Sequence, residues 1–117
     1  MNKVILIGNL ANDPEHTTTQ SGISRCAFRL AVQRKYTNAV GTREADFLSI
    51  ICWRGTADIV KRSLKKGNRV AIEGSIQNRS YDGQDRQRHY VTEIVAESVE
   101  FLTPKPTESR DLYSDGI

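Results

Sequence analysis

The nine residues Ala45–Trp53 limit the fold more than any other stretch of this chain. Ala45-Asp46-Phe47-Leu48-Ser49-Ile50-Ile51-Cys52-Trp53 holds aromatic and β-branched side chains with no Gly or Pro, so it reads as a strand. A strand sends residues i, i+2 and i+4 to one side. Leu48, Ile50 and Cys52 then make a wholly apolar face, as the interior of a barrel or sandwich requires. Phe47, Ser49, Ile51 and Trp53 make the other face, with a large aromatic at each end. Such a face either packs against something or is built to bind.

The neighbouring stretches share the two-residue period. Asn2–Leu10 reads as a first strand, with Gly8-Asn9 marking a bulge or a close backbone approach. Asp13-Pro14 ends it, and His16–Gly22 reads as a polar loop turning at Ser21-Gly22. Ser24–Gln33 alternates cleanly, with Cys26, Phe28, Leu30 and Val32 inward and Arg25, Ala27, Arg29 and Ala31 outward. Residues Arg34–Arg43 read as a hairpin loop. Thr56–Leu64 is the one helical stretch: Thr56 as N-cap, Asp58 in the first turn, Ala57, Val60 and Leu64 on the buried face, and Gly67 as the stop. Arg69–Tyr81 reads as a fourth strand with Val70, Ile72 and Ile76 inward and a kink at Gly74. Asp82-Gly83 signals a hairpin. A fifth strand runs from about Arg88 to Phe101, with a bulge expected between Val91 and Val95. The expected class is all-β: five strands with one short helix between the third and fourth, the order of the oligonucleotide-binding (OB) barrel. Other small five-stranded barrels fit the same order.

A chain of 117 residues is one domain by size and needs no disulfide or metal to hold a core. Cys26 and Cys52 sit inside apolar runs as small core residues, and no Cys/His spacing supports a metal site. The expected division is a domain at 1–104, closed by Pro104 and Pro106, and a short disordered tail at 105–117. Val4–Ile7 is too brief for a signal peptide or a membrane span, so a cytoplasmic protein is expected. The formal net charge is +3, and residues 1–102 hold fifteen Lys/Arg against eleven Asp/Glu. That excess fits an anionic partner, although many basic domains have none.

Tyr36, Phe47, Trp53 and Tyr81 fall on outer faces or outside the core register, each near a cation: Arg34 and Lys35, Arg54, or Arg79. Unpaired nucleic acid offers base faces to flat side chains and phosphates to cations, whereas a duplex hides its base faces. The competing reading is that Phe47 is core and that Lys61–Lys66 only suit a helix C-terminus. Tyr36 and Tyr81, at loop edges among charges, are harder to explain as packing. His16 and His89 are expected at the surface. No nucleophile–base pair, paired carboxylates or phosphate-binding glycine loop is present, so neither catalysis nor a cofactor is expected.

Asn2–Leu10 with Asp13-Pro14-Glu15 resembles the opening of bacterial single-stranded DNA-binding proteins. The resemblance continues through Ala45-Asp46-Phe47, Trp53-Arg54-Gly55, Lys66-Gly67, Glu73-Gly74, Arg79-Ser80-Tyr81 and Tyr90-Val91-Thr92-Glu93, over roughly residues 2–103. It implies an OB barrel, usually a homotetramer, that binds single-stranded DNA without sequence preference in replication, recombination, repair or DNA uptake. It places stacking on Tyr36, Phe47, Trp53 and Tyr81. It matches Lys3, Lys66 and Arg79 to basic positions of the family, and Arg54 stands beside Gly55, near where a lysine is often found. With Arg34 and Lys35 these make six expected phosphate contacts. The family's long linker and acidic tip with a final Pro-Phe are not matched by Asp115-Gly116-Ile117, so recruitment of other proteins by that route is not expected. Two rivals are a protein-interaction barrel such as a primosomal adaptor, which would retain fewer aromatics, and an RNA-binding barrel of the cold-shock kind, which would crowd them onto adjacent strands.

Overall fold

The computed structural model describes residues 1–102. The expected tail at 105–117, and the last two residues of the expected domain, lie outside the described residues. In chain order come β1 (Val4–Leu10), β2 (Glu15–Thr18), β3 (Ser24–Thr37), β4 (Arg43–Trp53), α1 (Arg54–Ser63), β5 (Arg69–Asp82) and β6 (Arg88–Phe101). The sheet order is β1-β5-β6-β4-β3-β2, and a further β1–β3 pairing closes it. Five strands therefore form a closed barrel, and β2 is an addition outside the ring. This is the expected OB barrel with a plug helix. Counting β2, the helix lies between β4 and β5.

β2 escapes a periodicity reading because Glu15-His16-Thr17-Thr18 has no apolar alternation. It is a strand because its backbone pairs with β3, from Glu15 opposite Ala27 to Thr18 opposite Ser24. His16 is accordingly half-buried rather than a free surface residue. Its Nε2 lies 2.6 Å from Ser24 Oγ, which donates to Asp58 Oδ1 at 2.7 Å and so ties β2, β3 and α1 together.

The inward faces of β3 and β4 are those the alternation predicts. Cys26, Phe28 and Leu30 meet Ile50 and Cys52 in the core, with Leu48 and Val32 packed at its edge. Burying each large aliphatic side chain contributes roughly 1.5–3 kcal/mol before entropy is charged against it. The helix adds Ala57, Val60 and Leu64, all buried, to one end of the barrel. Its start is earlier than expected: Trp53 is the N-cap and makes no side-chain cap bond, and no acidic residue lies in the first turn. Thr56 and Asp58 are thus inside the helix, and Asp58 holds Ser24 instead of the dipole. The chain passes from strand to helix without a loop because Arg54 takes a left-handed φ of 55°. The helix ends at Ser63, with Leu64 as its C-cap, before Gly67; Gly67, at φ 91°, turns the chain into β5 and donates its N–H to Leu10 O at 2.9 Å.

Further expectations are corrected or refined. β3 extends to Thr37, so Arg34, Lys35 and Tyr36 belong to a long hairpin arm rather than to a loop. The hairpin signalled by Asp82-Gly83 joins β5 to β6, through a connection longer than a two-residue turn. The connection spans residues 83–87, and the left-handed residue is Arg86, at φ 64°. Finally, the bulge in β6 is at Glu97 and not between Val91 and Val95. The β5–β6 register is unbroken from Asp82 opposite Arg88 to Gly74 opposite Ala96, then shifts so that Glu73 faces Ser98. One extra residue reverses the parity of the strand. Ile94 and Ala96 point inward before the bulge, and Val99 and Phe101 pack on the core after it. A Cβ on Gly74 would stand 2.2 Å from Val95 O, so only glycine allows β6 to approach there. Ile76, expected inward, is exposed where β5 runs beyond the barrel.

Candidate nucleic-acid interface

Antiparallel pairing brings the outer faces of β3 and β4 together, with Arg25 opposite Trp53, Ala27 opposite Ile51, Arg29 opposite Ser49 and Ala31 opposite Phe47. Phe47 is 53% exposed and Trp53 38% exposed. Phe47 is therefore a surface ring and not core. Ile51 is the exception on this face, at 4% exposure. It lies between Ala27 on β3 and Val95 on β6 and forms the apolar floor between the two aromatics.

Each of three rings carries a guanidinium. Arg25 lies 5.7 Å from the centroid of Trp53, Arg29 the same distance from Phe47, and Arg79 the same from Tyr81. These are cation–π separations, worth roughly 0.5–1 kcal/mol at exposed sites, and they orient the rings while leaving each more than a third open. The β5–β6 arm continues the surface. One groove is lined by Arg25, Ile51 and Trp53 from the barrel and by Gln77, Arg79 and Val95 from the arm. Beyond it Tyr81 stacks on His89, with centroids 5.3 Å apart and planes 23° from parallel. Asp85 holds His89 Nε2 at 3.0 Å.

Tyr36 stands apart near the tip of the β3–β4 hairpin, 81% exposed. A second cleft, lined by Gln33, Arg34, Lys35 and Arg43 with Gly8 and Asn9, lies where β3 crosses β1. Gly8 permits that crossing, since a Cβ there would be 2.3 Å from Ala31 O.

The six expected phosphate contacts divide by their present partners. Arg34 forks onto Asp46, at 2.9 Å, and reaches Glu44. Arg79 holds Glu93 at 3.0 Å, and Lys3 holds Glu73. These hydrogen bonds raise the pKa of all three cations and hold the Asp46 carboxyl below its ordinary range. Lys35, Arg54 and Lys66 have no ion pair among the described residues; the Lys66 backbone N–H binds Asp13 Oδ1 at 2.8 Å. The structure thus joins Phe47, Trp53, Arg79 and Tyr81 on one surface and sets Tyr36, Arg34 and Lys35 on the adjoining arm. Lys3 faces Glu73 on the β1–β5 side, and Lys66 lies in the turn after α1. Sequence reasoning missed Arg25, Arg29 and His89. The first two were legible: folding β3 onto β4 about the Asn38–Gly41 turn places them beside Trp53 and Phe47.

Among the described residues no group of three or more His, Cys, Asp or Glu could hold a metal, and no helix is long and apolar enough to cross a membrane.

Comparison with known proteins identifies the family. The model of the single-strand binding protein family matches residues 1–102. A protein of Staphylococcus aureus (strain MSSA476) named single-stranded DNA-binding protein 1 is 48% identical over 115 residues, covering 97% of this chain and 74% of the relative. The single-stranded DNA-binding protein of Staphylococcus aureus (strain MRSA252) is 45% identical over 119 residues, covering 100% and 76%. That of Bacillus cereus (strain ATCC 14579) is 48% identical over 105 residues, covering 90% and 62%. A closed OB barrel, an aromatic outer face and a match running from the first residue to the end of β6 agree: this chain belongs to the single-strand binding protein family.

Proposed function

We propose that this protein binds single-stranded DNA without sequence preference and performs no catalysis. Tyr36, Phe47, Trp53 and Tyr81 stack on bases; Lys3, Arg34, Lys35, Arg54, Lys66 and Arg79 neutralise phosphates. The observation that carries the reading is the outer face on which three rings each sit beside a guanidinium at 5.7 Å. Stacking of this kind tolerates any base, because every base has a π-face. Replication, recombination, repair and DNA uptake are the processes such binding serves, in the cytoplasm.

The protein acts as a homo-oligomer, with a tetramer as the proposed state. Ile5, 71% exposed, and Ile7 stand on the outer side of β1. A second copy of this chain is the cover proposed for them, since adjacent apolar side chains on a charged surface mark an interface. Binding to dT, rU and duplex DNA of equal length tests the reading. Preference for dT supports it; equal or tighter binding to duplex would refute it, and preference for rU would favour an RNA-binding barrel.

A further inference from the structure

We infer that His89 makes single-strand binding proton-linked: as the strand reaches the Tyr81 end of the β5–β6 arm, Nδ1 of His89 takes a proton from solvent and offers it to a phosphate, so binding tightens below neutral pH. This rests on the reading of the protein as a single-strand binder and gives that binding a pH input. Histidine is the side chain whose charge ordinarily changes between pH 5 and 8, and the chain has two, His16 and His89.

Strand register sets His89 on β6 opposite Tyr81 on β5, and the two rings stack with centroids 5.3 Å apart. The Asp85 carboxylate lies on one nitrogen of the imidazole, with Oδ1 and Oδ2 at 3.0 and 3.1 Å from Nε2. The turn backbone lies against the same edge, since a Cβ on Gly83 would stand 2.5 Å from Nε2. A carboxylate only accepts, so Nε2 carries the neutral ring's proton. Nδ1 keeps its lone pair and has no hydrogen-bond partner among the described residues. The side chain is 39% exposed, which leaves a second proton and an anion room to reach the ring.

The charges around the imidazole make that proton decisive. From Asn78 to Glu93 the arm carries Arg79, Arg86 and Arg88 against Asp82, Asp85 and Glu93, three against three. The arm is therefore formally neutral until His89 is protonated. On β5, Arg79 lies 5.7 Å from the Tyr81 ring and holds Glu93. At the strand ends next to the stack, Arg88 holds Asp82 at 3.5 Å. The hydrogen bond from His89 keeps the Asp85 carboxyl below its ordinary range, so it stays charged at pH 6 and takes no proton itself. An imidazolium over the Tyr81 ring gains cation–π attraction, which holds it beside the base that Tyr81 receives. An anion brought beside an imidazole favours its charged form, and by linkage the charged form favours the anion equally. Binding thus gains strength as pH falls and loses it as pH rises.

The test is the Kd for oligo-dT at pH 8 and pH 6 and one salt concentration, for wild type, His89→Phe, His89→Arg and, as control, His16→Gln. Melting temperatures verify each fold. Phe keeps a ring on Tyr81 without the proton, and Arg keeps a cation at both pH values. Wild type should bind about two- to fivefold tighter at pH 6, the scale of one exposed ion pair. Its slope of log K against log salt should steepen there by up to about 0.7. His89→Phe and His89→Arg should lose this gain, and His16→Gln should keep it. Equal wild-type Kd at both pH values overturns the inference. A folded His89→Phe or His89→Arg that keeps the gain overturns it too, as does its loss in folded His16→Gln. If wild type fails to bind oligo-dT at either pH, the reading beneath it fails instead.

Discussion

Replacing Trp53 by alanine separates stacking from folding. Trp53 is the chain's one tryptophan, the last residue of β4 and the N-cap of α1. It makes no side-chain cap bond, so alanine sacrifices none. Its stability cost comes from the ring's covered part and from the Arg25 contact, the latter worth roughly 0.5–1 kcal/mol. With 38% of the residue exposed and one guanidinium beside the ring, a single base-stacking surface remains. Stacking contributes about 1–3 kcal/mol per base, a range measured on proteins of this kind, and one surface beside an anchoring arginine belongs in its middle. A loss of about 2 kcal/mol is a rise of roughly thirtyfold in Kd. Fluorescence anisotropy with labelled oligo-dT at one fixed salt concentration measures it, with thermal melting to verify the fold. Trp53→Phe should recover most of the loss. A folded Trp53→Ala protein with wild-type Kd would refute the stacking role.

Three other perturbations have definite outcomes. Glu93→Gln releases Arg79 from its ion pair and should tighten oligo-dT binding and steepen its salt slope by up to about 0.7; weaker binding would show that the pair positions Arg79 rather than restraining it. Arg54→Gly removes a left-handed non-glycine residue, which costs roughly 1–2 kcal/mol, and restores about 0.5–1 kcal/mol of chain entropy to the unfolded state. Its melting temperature should hold or rise slightly while DNA affinity falls, and a marked drop in melting temperature would show that the side chain braces the strand–helix junction. Cys26 and Cys52 face each other across β3 and β4 inside the core, and burial pushes the Cys52 thiol up to about 12. At pH 8 its thiolate fraction is on the order of a thousandfold below that of an ordinary cysteine with pKa near 8.5. Labelling by a thiol reagent should therefore await opening of the barrel, and labelling within the mixing time would contradict that burial.

Much of this architecture is legible in the residues, and the exceptions share a cause. Alternation identified the inner faces of β3 and β4, and helical spacing identified Ala57, Val60 and Leu64, because burial selects apolar side chains at a fixed period. β2 left no such trace, since its faces are polar and only backbone pairing makes it a strand. The bulge at Glu97 was misplaced because Val91, Ile94, Val95, Val99 and Phe101 fit several parities. The choice among them is made by β5, through the clearance at Gly74. Phe47 illustrates the limit on the binding face. Its residue type suits core and surface equally, and its exposure follows from closure of the barrel on the other side of β4. Arg25 and Arg29 show the reverse case, in which strand register alone places the cations beside the rings.

The central claim is that Trp53 and its face receive a single strand of DNA. The direct measurement is tryptophan emission during titration with oligo-dT, followed by back-titration with salt and repeated with duplex of the same length. Saturable quenching by oligo-dT, reversed by salt and lacking with duplex, is the predicted result. Unchanged emission at concentrations where anisotropy reports complete binding would place the strand elsewhere on the barrel and contradict the account.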